Sequence, residues 1–266
     1  MNASESSPRL EVDLDLLKKY NRPGPRYTSY PTAPHFHEGF GPEEYRQEIL
    51  STNVGETPRD LSLYFHFPFC KSLCYFCACN VVITKDASRV GHYLGVLKKE
   101  IDLVAKLVDP RRQVVQMHWG GGTPTYMSPD QIRDIFGAIR EKFPFAPEAE
   151  ISIEIDPRTI SPDHLPALRE AGFNRVSFGL QDVNPEVQTS INRVQTDEQN
   201  AFVINESRAL GFDSINVDLI YGLPQQTEAS FARTLEQVTA IRPNRLALYA
   251  YAHLPQRFKP QRRIHD

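Results

Sequence analysis

The chain has 266 residues, 40% of them hydrophobic and 24% charged, with a formal net charge of -3. Those values suit a globular protein able to bury a sizeable core, as one large domain or two modest ones. They exclude a generic nucleic-acid binder, and no apolar run approaches the ~18 residues of a membrane span.

Residues 1–26 lack the apolar stretch of a signal peptide, so the chain reads as cytoplasmic, where clustered cysteines more often bind metal or do chemistry than form disulfides. Residues 1–60 read as a loop-rich N-terminal extension, because "NRPGPRYTSYPTAP" (21–34) is too proline-dense for a regular element. Lys18, Lys19, Arg22 and Arg26 form a basic stretch without an acid, and so do Arg257, Lys259, Arg262 and Arg263 near the other end. Each is either a solvated tail or a surface for a small polyanionic substrate.

From Leu61 six β-rich runs appear, at 61–69, 114–119, 149–155, 175–181, 213–220 and 245–252. Helical patterns separate them. Val90, Leu94, Leu97, Ile101, Val104 and Val108 recur at four and three, one face of a helix. Ile132, Ile135, Phe136, Ile139 and Phe143 follow Ser128 and Pro129, a cap and a first-turn proline. "SPDHLPALREAG" repeats that start at Ser161 and ends on Gly172. "TDEQ" (196–199) is a capping-box pattern whose helix ends at Gly211, and Phe231, Leu235, Val238 and Ile241 mark a further helix over 227–241. Six alternations of strand and helix predict an α/β fold with a parallel sheet, over residues 61–254, either open or curled into a barrel. In both cases ligands sit at the C-terminal ends of the strands.

All four cysteines fall in "HFPFCKSLCYFCACN" (66–80), directly after the first strand. A structural zinc site is one reading, but such sites usually draw short ligand pairs from separate segments. An iron–sulfur cubane offers four corners to thiolates, and Cys70, Cys74 and Cys77 can take three of them. Cys79, two residues further on, has little reach to the last corner. The expectation is a cluster with one open iron, and another role for Cys79.

The C-x₃-C-x₂-C spacing, with Phe76 before its last cysteine, resembles the signature of radical S-adenosylmethionine enzymes. The resemblance implies a six-unit (β/α) partial barrel holding a [4Fe-4S] cluster. Its open iron is chelated by S-adenosyl-L-methionine, whose reductive cleavage gives a 5′-deoxyadenosyl radical. "GGGTP" looks like the motif that grips the methionine amino group, at Gly121, Gly122 and Thr123; a tight strand–helix turn is the plainer reading. Glu154 alternates with Ile153 and Ile155 and Asp218 lies in an apolar strand, so each reads as an inward acid in want of a partner. A solvated strand face for Glu154 and an ordinary structural role for Asp218 are the plainer readings. Gln181, Arg193 and Ala252 fall at or after other strand ends.

A narrower resemblance is carried by "YNRPGPRYTSYPTAP", "YFHFPFCKSLCYFCACN", "HWGGGTPTYMSPDQI", "EIDPRTI", "VSFGLQD", "INVDLIYGLPQQT" and "YAYAHLPQRFKPQRRI". Together they are similar, in order, to the oxygen-independent coproporphyrinogen III dehydrogenase family of haem biosynthesis. The resemblance implies a porphyrinogen substrate, two of whose propionates become vinyls to give protoporphyrinogen IX, and an unidentified electron donor. It also implies two bound S-adenosyl-L-methionine molecules, one met by Tyr64, Gly121 and Glu154. The other would meet Phe76, Gly122, Thr123, Gln181, Arg193, Asp218 and Ala252. Cys79 matches a non-ligating cysteine needed for activity, and Tyr20 and His66 match further functional positions. Arg22 and Arg26 are candidate contacts for the substrate carboxylates, which guanidinium forks suit.

Haem-chaperone paralogues share the cysteine loop but typically lack the fourth cysteine and the "YNRPGPRYTSYP" segment, both present here. Family members continue into a C-terminal domain, whereas residues 255–266 hold only its start. A monomeric enzyme is the main expectation; a haem carrier or a fragment without turnover are the alternatives.

Overall fold

The computed structural model describes residues 12–21, 32, 35–56 and 58–264. The chain divides into two compact units, 1–48 and 49–266. The first holds α1 (Leu14–Tyr20) and most of α2 (Pro42–Ser51), two helices where a loop-rich extension was expected. Asp13 caps α1 by accepting the Asp15 and Leu16 N–H groups at 2.9 Å each. Neither helix buries a residue, so neither shows the apolar stripe by which a helix is read from sequence. Tyr20 ends α1, with its side chain exposed. Arg22 and Arg26 lie outside the described residues.

The second unit runs β1 (Leu61–Phe67), β2 (Phe69–Cys70), β3 (Val82–Ile83), α3 (Ala87–Ala105), β4 (Val114–Gly121), α4 (Pro129–Lys142), β5 (Phe145–Ile155) and α5 (His164–Ala171). It continues with β6 (Arg175–Gln181), α6 (Pro185–Ser190), α7 (Asp197–Ala209), β7 (Ser214–Tyr221), α8 (Glu228–Ile241) and β8 (Arg245–Ala250). Six strands form one parallel sheet in the order β1-β4-β5-β6-β7-β8, with β1 and β8 at its two ends. That is the partial-barrel topology, an open parallel sheet of six strands with helices between them.

Side chains alternate across a strand, and the two faces differ in chemistry. Met117, Trp119, Ile153, Phe178 and Val217 are fully buried in the main core, which includes Ile132, Ile135 and Ile139 of α4 and Val90 and Leu94 of α3. Trp119 is ringed by Phe67 and Phe173, each with its centroid 4.9 Å away. The opposite face carries His118, Ser152, Glu154, Ser177, Asn216 and Asp218, all half-buried.

The helix starts follow their caps. Ser128 with Gln131, Thr196 with Gln199 and Thr227 with Ser230 each form a reciprocal capping box. Ser161 does not cap α5, which begins three residues later. Its N–H and hydroxyl engage His164 Nδ1 at 3.0 and 2.7 Å, while His164 Nε2 meets the Met127 carbonyl at 2.9 Å. On α8 the buried residues are Ser230, Thr234 and Val238, whereas Leu235 is exposed. Thr234 is drawn inward because its hydroxyl donates to the fully buried Asp182 at 3.1 Å. The six-residue α6 is too short to show a stripe.

Candidate active site

The cysteine loop is clamped at both ends. Parallel pairing of β2 with β3 sets Phe69 against Val82 and Cys70 against Ile83, with Val82 N–H on Pro68 O at 2.7 Å. Further along, Tyr75 N–H donates to Ile191 O at 2.9 Å, and the Asn192 amide donates to Leu73 O at 2.7 Å. A loop that would otherwise be floppy is therefore fastened to the segment after β6.

Each of the first three sulfurs has a polar neighbour. The Thr123 hydroxyl lies 3.5 Å from Cys70 Sγ. Arg158 Nη2 donates to Cys74 Sγ at 3.4 Å and Arg193 Nη1 at 3.6 Å. Cys79 N–H donates to Cys77 Sγ at 3.4 Å. Behind the two arginines stands Asp156, which accepts from Arg158 Nε at 2.9 Å and Nη2 at 2.7 Å, and from Arg193 Nη1 at 3.4 Å. Burial would raise the Asp156 pKa, but Arg193 and Arg158 outweigh it and hold the carboxyl at about 2.

The thiols differ for physical reasons. Burial pushes Cys70 up to about 11, against the pull of Thr123. A hydrogen bond from Cys79 draws Cys77 down to about 6, against burial, and the same partnership pushes Cys79 up. Within that pair Cys79 donates and Cys77 accepts.

The glycine run after β4 supports the sulfurs. Gly121 has φ +118°, open to glycine at little cost, and a Cβ there would sit 2.7 Å from the His66 ring. A Cβ on Gly122 would meet Pro68 O at 2.6 Å and Cys70 Sγ at 3.0 Å, so only glycine lets this backbone approach the loop. Glu154 accepts Gly121 N–H at 3.1 Å and faces His118 Nε2 at 3.4 Å. On the next strands Asp218 accepts from Asn216 at 2.8 Å and from Ser177 at 3.3 Å.

These groups enclose a cavity of about 200 Å³ at the C-terminal end of the sheet. Of the residues singled out from the sequence, it gathers all four cysteines with Phe76, Gly121, Gly122 and Thr123. Glu154, Gln181, Arg193 and Asp218 complete the lining. Tyr64, His66 and Ala252 lie outside that lining. The Tyr64 hydroxyl is 3.1 Å from His66 Nδ1, and His66 Nε2 is 2.9 Å from Asn80 O, just below the loop. Ala252 follows β8, and its carbonyl accepts from Gln261, whose amide also reaches Phe76 O at 3.3 Å.

Asp156, Arg158 and Ser177 also line the cavity and were not anticipated. The first two stand within "EIDPRTI", where an Asp-Pro-Arg run reads as an ordinary turn. Only the approach of Arg193, 37 residues further along than Asp156, makes them a network.

Among the described residues, no three His, Cys, Asp or Glu side chains converge as a single metal ion requires. Cys70, Cys74 and Cys77 instead all line the cavity, each sulfur with its own polar neighbour. Three cysteines on one cavity suit three corners of an iron–sulfur cluster, whereas a structural zinc usually takes four ligands. Arg193 Nε is buried with no partner at the cavity's edge, and Glu154 and Asp218 offer acceptors across it. The residues present fit a [4Fe-4S] cluster with a small polar cofactor beside it.

Fold and site together define an iron–sulfur enzyme core, and residues 64–238 match the Radical SAM superfamily. The chain belongs to that superfamily, whose cofactors are a [4Fe-4S] cluster and S-adenosyl-L-methionine. It is 48% identical over 254 residues to the oxygen-independent coproporphyrinogen III oxidase of Pseudomonas aeruginosa, covering 95% of this chain and 55% of that protein. It is 49% identical over 261 residues to the Escherichia coli protein of that name, covering 98% and 56%. The solved structure of coproporphyrinogen III oxidase from Escherichia coli, described as a radical SAM enzyme, superposes with a TM-score of 0.87 over 96% of this chain. The chain spans about half the length of the curated relatives it matches.

Proposed function

We propose that this chain is the radical-generating part of an oxygen-independent coproporphyrinogen III oxidase of haem biosynthesis, acting in the cytoplasm. The reading rests first on the fourth cysteine. Cys79 lines the cavity beside the three candidate ligands, yet its N–H and thiol are turned to Cys77. Identity near one residue in two across almost the whole chain supports the same reading.

In this proposal Cys70, Cys74 and Cys77 hold the cluster. Gly121, Glu154 and Tyr64 bind one S-adenosyl-L-methionine. Phe76, Gly122, Thr123, Gln181, Arg193, Asp218 and Ala252 bind a second. When bound, these cofactors supply one-electron chemistry able to remove a hydrogen atom from an unactivated carbon. The chain's own contribution is placement. The glycine backbone lets a ligand close on the loop. Glu154 and Asp218 offer acceptors to ammonium or hydroxyl groups, and the Arg193 fork suits a carboxylate. Cys79 lines the cavity with its thiol turned to Cys77, where it can donate a hydrogen bond. Tyr20 and His66 act with it, and Arg22 and Arg26 bind substrate propionates. The electron comes from a donor that is not identified.

Anaerobic iron–sulfur reconstitution, followed by reduction with S-adenosyl-L-methionine, tests this directly. About four irons per chain, 5′-deoxyadenosine release and carbon dioxide from coproporphyrinogen III are expected. A loaded cluster with nucleoside release but no propionate loss would overturn the substrate. Haem binding without nucleoside release would favour a carrier.

A further inference from the structure

The Asp156–Arg158–Arg193 network touches one sulfur only. Arg158 Nη2 has two hydrogens, one for Asp156 Oδ2 at 2.7 Å and the other for Cys74 Sγ at 3.4 Å. Its Nε and its backbone N–H both bind Asp156 Oδ1, at 2.9 and 3.1 Å, so the fork is held at three points. The side chains of Arg158, Asp156 and Arg193 keep only 18%, 9% and 9% of their exposure. In such a setting charges are weakly screened, and a fixed donor interacts strongly with a thiolate. One carboxylate against two guanidinium groups leaves one net positive charge beside Cys74. No guanidinium hydrogen bond reaches Cys70, which meets a hydroxyl, or Cys77, which meets a backbone amide and feels the Arg193 charge only through space.

We propose that Arg158 is a positioning residue for the Cys74 corner, fixing that sulfur by a guanidinium hydrogen bond and raising the cluster's reduction potential. The direction follows from charge. Reduction adds one electron to an already anionic group, so a buried cation and an N–H donor at a ligating sulfur favour the reduced state. Asp156 has the opposite influence: it holds the fork in place and cancels one of the two positive charges. Lysine could keep the charge at 158 but not the planar grip on carboxylate and sulfur together. The inference rests on the cluster implied by superfamily membership and not on the porphyrinogen substrate.

The test is the midpoint potential of the anaerobically reconstituted cluster, followed by electron paramagnetic resonance during redox titration, with iron counted in each sample. R158Q should keep its iron and shift the midpoint to more negative potential. R158K should shift it less in the same direction. D156N, which removes the only negative charge of the network, should shift it to more positive potential. Opposite signs for R158Q and D156N are what a general loosening of the loop would not produce. R158Q with a full cluster at the wild-type potential overturns the proposal, as do R158Q and D156N shifts of the same sign. Loss of iron from all three variants would assign the network to holding the loop, and would also overturn it. A wild-type chain that takes up no cluster would instead sink the cofactor reading itself.

Discussion

The two faces of one sheet use the same backbone for different ends. On the helix-covered face Trp119, Ile153, Phe178 and Val217 are fully buried among apolar side chains. One residue away along the same strands, His118, Glu154, Ser177 and Asp218 form hydrogen-bonded polar pairs and stay half-open to the cavity side. The first face supplies the apolar burial that dominates folding. The second carries polar groups whose burial costs stability and which are paired with one another. Stability and chemistry are thereby separated by the period-two alternation of a strand, and each face can be damaged without the other.

The largest expected effect is on the cavity side. Cys74→Ser should abolish iron uptake almost completely, with little change in the unfolding transition of the cofactor-free protein. Cys79→Ser should still take up iron under the proposed assignment, in which Cys79 is a hydrogen-bond donor to Cys77 and three other thiols hold the cluster. Iron analysis with circular dichroism melting on both variants checks the pair. Equal loss of iron from the two would make Cys79 a ligand.

On the covered face the order reverses. Trp119→Ala should cost about 3–5 kcal/mol in urea unfolding, the usual range for emptying a large buried aromatic site. Trp119→Phe should cost only about 1 kcal/mol. Its indole N–H is already buried without a partner, so the smaller ring gives up no hydrogen bond. A Phe variant as unstable as the Ala variant would reveal an unrecognised role for the indole.

The cost of the polar face should be visible in pH dependence. Burial first, and the charge of Glu154 after it, hold the Asp218 carboxyl up at about 6 against Ser177 and Asn216, from an ordinary 3.8. Between those values the native protein keeps a proton that the unfolded chain has released. Stability therefore falls as pH rises through that window, by up to roughly 3 kcal/mol above it. Asp156 has the reverse sign: its carboxyl is held at about 2, so its contribution is present above 3.8 and lost as pH falls through 2. In cofactor-free protein, Asp218→Asn should gain stability over wild type between pH 4 and pH 7. A difference that does not change with pH would show that Asp218 is not destabilised as an anion.

Much of this arrangement was legible in the sequence because it is local. The cysteine spacing, the Gly121–Thr123 turn and the alternation of Ile153, Glu154 and Ile155 each lie within a few residues. The Asp156–Arg158–Arg193 network was not, since its meaning depends on a contact between segments 37 residues apart. Helices α1 and α2 escaped because they bury nothing, and periodicity reports burial, not helicity itself. On α8 the expected apolar face lost Leu235 to solvent while Thr234 turned in, because a buried carboxylate has a stronger claim on a hydroxyl than the core has on a leucine.

Strand β8 gives the smallest expected effect and the sharpest test of the comparison. Its sequence, "RLALYA", reads as a buried strand, as apolar as the runs that became β5 and β7. It pairs with β7 along Leu246, Ala247 and Leu248, yet Leu246, Leu248 and Tyr249 are all more than half exposed. A residue contributes burial energy only where a neighbour covers it, and among the described residues β8 has a strand on one side alone. Leu248→Thr keeps a branched, strand-compatible side chain and removes little buried surface, so it should move stability by less than about 0.5 kcal/mol. The same change at Leu219, its register partner on β7 and fully packed, should cost about 2 kcal/mol or more. Two leucines paired across one ladder would then differ several-fold in worth. Equal costs would mean that β8 is covered in solution, and that its apolar run reports a packed interface after all.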